Sequence, residues 1–192
     1  IDLYNRLSND YQIEVLLTGG ARETNTLGFD LSFVNQQAKF KFYYKKNGIR
    51  IGRHLVSMVY YQMIKRFKPN VVISHEYGVN TLFAILLKGL FGYKTFVTCD
   101  DSLVMAKEYG KCRSLLRNWV VSHSDCILVV HPKVQEYLSL QYNNSNCTFL
   151  YFPIIQDDLL LRRKLEVATE RTNEIIDKYQ LQNKINLLFV GR

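Results

Sequence analysis

Several polar side chains that can do chemistry stand directly after short apolar runs of this sequence. They are His75 and Glu76, Asp100 and Asp101, and His131. The two adjacent aspartates could act as a general base, bind a cation or cap a following helix. His75 and Glu76 could line a ligand site or form an ordinary polar strand end. The choice depends on the elements that position these residues.

The apolar runs alternate with segments of helical spacing. Strands are predicted at residues 12–17, 71–74, 93–98, 126–130, 148–152 and 185–190, and the longest helices at 51–67, 79–91 and 157–179. Strands and helices that alternate with short connections are typical of a parallel sheet covered on both faces. We therefore predict an α/β fold with a Rossmann-like parallel sheet.

Two segments carry more specific expectations. The helix at 79–91 is apolar on nearly every side, so we expect it to be largely buried against the sheet. Residues 39–42 alternate lysine with phenylalanine, which predicts a half-exposed edge strand. A basic, aromatic segment could also contact lipid headgroups or single-stranded nucleic acid.

The carboxyl ends of the predicted strands should form a single crevice. Ligands of open α/β sheets bind at these ends. The candidates there are Thr18, Gly19, Gly20, His75, Glu76, Asp100, Asp101, His131 and Lys133. The two glycines could let a ligand approach the backbone or could simply form a turn.

Composition indicates a globular protein with anionic partners. Of the 192 residues, 47% are hydrophobic and 22% are charged, and the formal net charge is +8. Nucleic acid, an acidic membrane surface and phosphorylated ligands all fit this charge. No apolar run is long enough to span a bilayer. The four cysteines have no paired spacing, which favours reduced thiols and a cytoplasmic protein.

Several kinds of site are disfavoured by spacing. A zinc set of Cys112, His123, Cys126 and His131 lacks a close Cys-x-x-Cys pair, so no metal site is predicted. The sequence contains no Gly-x-x-x-x-Gly-Lys-Ser/Thr phosphate loop and no Gly-x-Ser-x-Gly elbow. P-loop nucleotidases and α/β-hydrolases are therefore disfavoured.

Four segments in order resemble the N-terminal half of retaining GT-B glycosyltransferases of family 4. They are Lys-Pro-Asn-Val-Val-Ile-Ser-His-Glu at 68–76, Lys-Thr-Phe-Val-Thr-Cys-Asp-Asp at 94–101, Ser-Asp-Cys-Ile-Leu-Val-Val-His at 124–131 and Leu-Leu-Phe-Val-Gly-Arg at 187–192. Each motif is short, and the resemblance depends on their order over nearly the whole chain.

The resemblance implies two Rossmann-like domains that face each other across a cleft. Residues 1–153 would be the acceptor-binding domain, 154–184 a linker or crossing helix, and 185–192 the first strand of a donor-binding domain whose remainder lies outside this sequence. Gly191 and Arg192 would contact the donor diphosphate. Asp100 stands at the position of the family's histidine that lies near the transferred sugar, so the resemblance implies a catalytic role for Asp100. The family's Pro-Asn-Gly is replaced here by Phe152-Pro153-Ile154.

The resemblance also implies an activity. A bacterial-type, cytoplasmic, peripheral membrane enzyme would transfer a sugar from a nucleotide sugar to a polysaccharide, lipid-linked or other sugar acceptor, with no cofactor or metal. This chain alone is expected to be inactive. The alternatives are a nucleotide-sugar epimerase of the same architecture and a basic α/β module that binds nucleic acid.

Overall fold

The computed structural model describes residues 2–18, 31–45, 48–51, 54–152 and 158–182. Apart from the first two residues, the chain divides into two compact units, Leu3–Ile154 and Ile155–Arg192. The first unit contains all the strands of the described part of the chain. The assignment of these parts to acceptor domain, linker and donor strand stays a prediction.

A four-stranded parallel sheet is the centre of the larger unit. Its strands are β5 (Val71–His75), β6 (Lys94–Cys99), β7 (Cys126–Val129) and β8 (Thr148–Tyr151), in the spatial order β5-β6-β7-β8. All three pairings are parallel. Helices connect the strands and pack against the sheet, so the predicted Rossmann-like α/β fold is confirmed.

Helices follow the first three strands of this sheet, as the sequence predicts. They are α4 (Val79–Phe91), α5 (Leu103–Lys107), α6 (Lys111–His123) and α7 (Pro132–Gln141). Gly92 ends α4 in the left-handed conformation, φ 73°, and donates its N–H to the Lys88 carbonyl. Glycine adopts this conformation without the steric cost of a Cβ, which is why the helix stops there. The end of α4 at Gly92 determines where the next strand begins, at Lys94.

The core lies between the sheet and these helices. Among its side chains Val97, Ile127 and Val129 of the strands, with Val120 of α6 and Val134 of α7, are completely buried. All four residues of β7 are buried. A strand buried on both faces reads as a continuous apolar run, which is the pattern found at 126–129.

The amino-terminal part of the unit forms smaller sheets. Helix α1 (Asp2–Leu7) precedes β1 (Glu14–Thr18), and α2 (Leu31–Gln37) precedes β2 (Lys41–Lys45). Strands β1 and β2 pair in parallel. The lysine and phenylalanine alternation thus does mark a strand, although it begins two residues later than predicted.

The predicted helix at 51–67 is wrong over its first half. Residues Ile49–Ile51 (β3) and His54–Val56 (β4) form an antiparallel pair, and only Val59–Phe67 is helical (α3). Isoleucine and valine suit a paired strand better than a helix because their side chains branch at Cβ. Lys68, with φ 47°, ends α3 just before Pro69, as the proline predicts.

Helix α4 is less buried than its sequence predicts. It packs inward through Thr81, Ala84 and Ile85, while Leu86 and Leu90 are 63% and 73% exposed. A helix that packs on a sheet buries one face against the core. Apolar residues on its opposite face therefore remain exposed to solvent. The expectation of a largely buried helix is corrected accordingly.

The smaller unit contains one described helix, α8 (Asp158–Lys178). It matches the helix predicted at 157–179. The strand predicted at 185–190, with Gly191 and Arg192, lies outside the described residues. No helix in the described parts of the chain has both the length and the apolar character needed to cross a bilayer.

Candidate functional site

His75 and Thr98 meet at the carboxyl ends of neighbouring strands. The parallel register of β5 and β6 pairs these two residues. Nδ1 of His75 lies 2.9 Å from Oγ1 of Thr98, which donates its own proton to the Ser74 carbonyl at 3.3 Å. A hydroxyl has one proton, so when Thr98 donates it to the Ser74 carbonyl, Nδ1 of the imidazole is the donor to Thr98. In the neutral ring, this leaves the lone pair on Nε2.

Glu76 is the first residue after β5, and its backbone is held in an unusual conformation. Its φ is 56°, in the left-handed region that side chains rarely adopt. Its N–H donates to the Thr98 carbonyl at 2.8 Å, and its carbonyl accepts from Oγ1 of Thr81 at 2.5 Å. The carboxylate points back toward His75, with Oε1 3.8 Å from Nε2. Backbone bonds on both sides therefore position this carboxylate.

Thr81 is a positioning residue that the sequence analysis did not find. Its side chain is completely buried in the first turn of α4. Its hydroxyl lies 2.7 Å from Oγ of Ser74 and contacts the carbonyls of His75 and Glu76. One hydroxyl therefore fixes the end of β5. A polar residue near the start of a mostly apolar helix was the available signal.

Asp100 completes an exposed cluster with His75 and Glu76. Asp100 follows the end of β6, and one ligand atom from each of the three residues lies within 4.8 Å of the others. All three side chains are exposed. Two carboxylates and an imidazole at this spacing can accept hydrogen bonds from neighbouring hydroxyls of a polyol or hold a cation.

Asp101 is in a different environment from Asp100. Its side chain is 4% exposed and accepts hydrogen bonds from the Tyr109 hydroxyl and, at 3.0 Å, from the Cys99 thiol. Nη2 of Arg113 lies 3.7 Å from its other oxygen. Asp101, which the sequence places in the cleft, is therefore buried and hydrogen-bonded to other protein groups. Ser102 caps α5, so neither aspartate has the capping role considered from the sequence.

The buried cluster around Asp101 keeps its donors protonated. Burial, with the neighbouring Asp101 carboxylate, raises the pKa of the Cys99 thiol to about 12. The same two causes raise the pKa of Tyr109. A group whose charged form is disfavoured keeps its proton. It donates a hydrogen bond to the carboxylate and does not act as a base. The candidate for chemistry at this edge of the sheet is therefore the exposed cluster of His75, Glu76 and Asp100.

His131 has a structural role at the start of α7. It is the N-cap, and its Nδ1 accepts the Lys133 N–H at 3.1 Å. The zinc set considered from the sequence does not come together, because Cys126 is buried in β7 while His123 stacks on Trp119 at 4.5 Å. The exposed cluster lies at the carboxyl ends of β5 and β6.

Of the predicted site residues not yet placed, Thr18 is the one that the structure describes. Thr18 ends β1, which pairs with β2 rather than joining the four-stranded sheet. Gly19, Gly20, Gly191 and Arg192 lie outside the described residues. A cavity of about 180 Å³ is lined by residues near the amino end of β1, and none of the described site residues lines it.

A buried arginine also escaped the sequence analysis. Arg117 of α6 is 3% exposed, donates to the Ala106 carbonyl at 2.6 Å and lies 4.7 Å from the Tyr109 ring centroid. It joins α5 to α6 beneath the Asp101 cluster. Its burial follows from tertiary packing, and the sequence contains no signal for it.

Comparison with known proteins adds no family assignment. No protein-family model matches the chain, and a search of the curated proteins finds no match. The resemblance to glycosyltransferases therefore rests on the four motifs and on the fold.

Proposed function

We propose that this chain is the acceptor-binding part of a glycosyltransferase that moves a sugar from a nucleotide sugar to a polysaccharide, lipid-linked or other sugar acceptor. One observation carries the proposal. His75, Glu76 and Asp100 form an exposed polar cluster at the carboxyl ends of adjacent parallel strands, within motifs that follow the order of the retaining GT-B family. Open α/β sheets bind their ligands at such strand ends.

The cluster suits a sugar acceptor. Carboxylates accept hydrogen bonds from hydroxyl groups, and a carboxylate presents two oxygens that can receive neighbouring hydroxyls. The fixed backbone of Glu76 and the hydroxyl bond to His75 reduce the entropy lost when a sugar binds. Asp100, at the family's histidine position, would bring a negative charge close to the transferred sugar.

The donor side of the proposal concerns residues 185–192. Arg192 would contact the diphosphate of the nucleotide sugar, with Gly191 allowing close approach. A fixed guanidinium offsets the charge that a diphosphate gathers as it leaves, without a metal ion.

The decisive assay uses the complete gene product with a panel of nucleotide sugars and lipid-linked acceptors. We expect transfer to the acceptor, and Glu76→Gln or Asp100→Asn should raise the acceptor KM by about tenfold, the value of one hydrogen bond to a charged group. Glu136→Gln, an exposed change on α7, is the matched control. Release of an altered free nucleotide sugar without acceptor would identify an epimerase instead.

Membrane association is the part of the proposal that the charge of +8 supports. Basic proteins bind anionic lipid surfaces, and salt screens this attraction. We expect the chain to bind vesicles that contain anionic lipid at low salt and to release them at high salt. Failure to bind at low salt would remove the peripheral, cytoplasmic-face location from the proposal.

The nucleic-acid alternative gains no support from the aromatic segment. Phe40 and Phe42 are half-buried, and the Phe40 ring packs edge-on against Tyr4 with centroids 5.7 Å apart. Rings that stack on bases must be free to face them. The Phe40 ring instead contacts Tyr4 of α1.

A further inference from the structure

We infer that His75, Glu76 and Asp100 form a binding site for a divalent cation that accepts mixed nitrogen and oxygen ligands, such as Mn²⁺ or Zn²⁺. From the sequence, cation binding is one of three open roles of the Asp100-Asp101 pair, and no metal site that includes His75 and Glu76 is predicted. The inference concerns the acceptor side of the molecule, so it is compatible with a donor diphosphate that is stabilised by an arginine. It does not depend on sugar transfer.

The spacing of the three ligand atoms fits one ion. They lie within 4.8 Å of one another. An ion bonded at about 2.1 Å to each ligand holds adjacent ligands about 3.0 to 3.4 Å apart and opposite ligands about 4.2 Å apart. His75 Nε2 and Glu76 Oε1 are already 3.8 Å apart. Small rotations of exposed side chains are enough to close the remaining distance.

The hydrogen bond from His75 to Thr98 prepares the imidazole for a metal. In the tautomer whose Nδ1 donates to Oγ1 of Thr98, at 2.9 Å, Nε2 of the neutral ring presents its lone pair toward the Glu76 carboxylate. A lone pair facing a carboxylate is repulsive unless a cation, either a proton or a metal ion, lies between them. Metal-binding histidines are held by such a bond from their other nitrogen.

Within the described residues, the carboxylates of the cluster, Glu76 and Asp100, have no lysine or arginine as an ion-pair partner, although the protein as a whole is basic. The adjacent Asp101, by contrast, has Arg113 as a partner. Two carboxylates and an imidazole that have no fixed cation among the described residues are an arrangement that can bind a metal ion.

The ligand types select the ion. An imidazole with two carboxylates favours Mn²⁺, Zn²⁺ or similar transition metals, whereas Mg²⁺ and Ca²⁺ favour oxygen ligands throughout. Three protein ligands leave coordination positions open, which exogenous oxygen atoms can occupy. The site therefore resembles an open, ligand-accepting centre more than a closed structural one.

The test is a Mn²⁺ titration of the chain, purified without a histidine tag and followed by electron paramagnetic resonance of the free ion. We expect one Mn²⁺ bound per chain. His75→Ala and Asp100→Asn should each weaken binding by about tenfold or more, and Thr98→Val, which removes the bond to Nδ1, by about tenfold or more as well. His123→Ala and Glu136→Gln change an exposed histidine and an exposed glutamate elsewhere, and should leave the affinity unchanged.

Two results would overturn the inference. One is the absence of Mn²⁺ binding to a chain whose circular dichroism shows it folded. The other is equal weakening by the control and cluster variants. The titration contains no sugar, so it separates this inference from the proposed glycosyltransferase: loss of transfer in the complete gene product would leave a cation site untouched, and the reverse also holds.

Discussion

Asp100 and Asp101 are neighbours in sequence but occupy opposite environments. Asp100 is exposed and belongs to the cluster with His75 and Glu76, whereas Asp101 is 4% exposed and is bonded to Cys99 and Tyr109. Successive residues at a strand end point in different directions, so one carboxylate reaches solvent and the next enters the core. The buried Asp101 carboxylate holds neighbouring side chains by hydrogen bonds, whereas the exposed Asp100 carboxylate is accessible to a ligand.

The sharpest test of this contrast is to truncate each aspartate in turn. Asp101→Ala removes the acceptor for Tyr109 and Cys99 and the partner of Arg113, and should lower the free energy of unfolding by about 3 kcal/mol. Asp100→Ala, an exposed change, should alter it by less than about 0.5 kcal/mol. Urea unfolding of both variants measures the difference. Equal losses would mean that the two carboxylates do not differ in role.

The Thr81 hydroxyl holds the backbone carbonyls of His75 and Glu76 in the exposed cluster. Removing this hydroxyl should have the next largest effect on the free energy of unfolding. Thr81→Val keeps the shape but leaves the Glu76 carbonyl without that donor, so we expect a loss of about 1.5 kcal/mol. Thr81→Ser keeps the hydroxyl and should lose less. Urea unfolding compares the two. A serine variant as unstable as the valine variant would assign the effect to packing.

Asp125 extends the comparison to the opposite, amino-terminal edge of the sheet. Its Oδ2 accepts from Nζ of Lys88 and from the Thr95 N–H, both at 2.7 Å. Burial acts to raise the pKa of Asp125, but the bonds from Lys88 and Thr95 outweigh it and lower that pKa. The folded state therefore holds the charged carboxylate more strongly than the unfolded chain does.

The consequence is a pH-dependent contribution to stability. A lowered folded pKa stabilises the protein above the unfolded value of about 3.9, and this contribution is lost as the pH falls through the folded pKa. Asp125→Asn should cost about 1 kcal/mol at pH 7, and the gap from the parent should shrink below about pH 4. Unfolding in urea from pH 7 to pH 3 follows the gap, and a gap independent of pH would exclude the ionic contribution.

The cysteines give the smallest and most local comparison. Cys112 is exposed, whereas Cys99, Cys126 and Cys147 are buried. Burial raises the pKa of Cys99 and of Cys147 to about 12, so few thiolates form in the native state. At pH 8 a disulfide reagent should label Cys112 first and the buried thiols only after unfolding, as mapped by mass spectrometry. Rapid native labelling of Cys99 would show that the Asp101 cluster opens.

Much of the four-stranded sheet could be predicted from local signals. The helix Val79–Phe91 has the predicted bounds, because an apolar segment is closed by Gly92 at a left-handed position. Strand Cys126–Val129 was visible as a short apolar run, since a strand buried on both faces needs no alternation. In both cases a local stop and a local composition agree with the tertiary structure.

The segment before α3 shows where local signals fail. Apolar residues spaced four apart at 51, 55 and 59 satisfy a helical pattern, yet β3 and β4 pair across that spacing. A few apolar positions fit both patterns, and pairing between strands decides. The helix begins at Val59, whose N–H donates to Oγ of Ser57 at 3.2 Å.

The candidate site was predictable in position but not in detail. Strand ends identified His75, Glu76 and Asp100 as neighbours, because parallel strands end on one edge. The partners of these residues come from elsewhere in the chain: Thr81 from α4, and Arg113, which holds Asp101, from α6. Burial of Asp101 depends on those helices, and no feature of the Asp-Asp pair in the sequence distinguishes the two acids.

The left-handed backbone of Glu76 sets two kinds of selection against each other. A non-glycine residue at φ 56° costs of order 1 kcal/mol, and glycine would relieve that cost. Glycine would also delete the carboxylate that faces His75. A laboratory evolution experiment that rewards only thermal tolerance should therefore drift toward glycine at position 76, whereas one that rewards ligand binding should retain the glutamate.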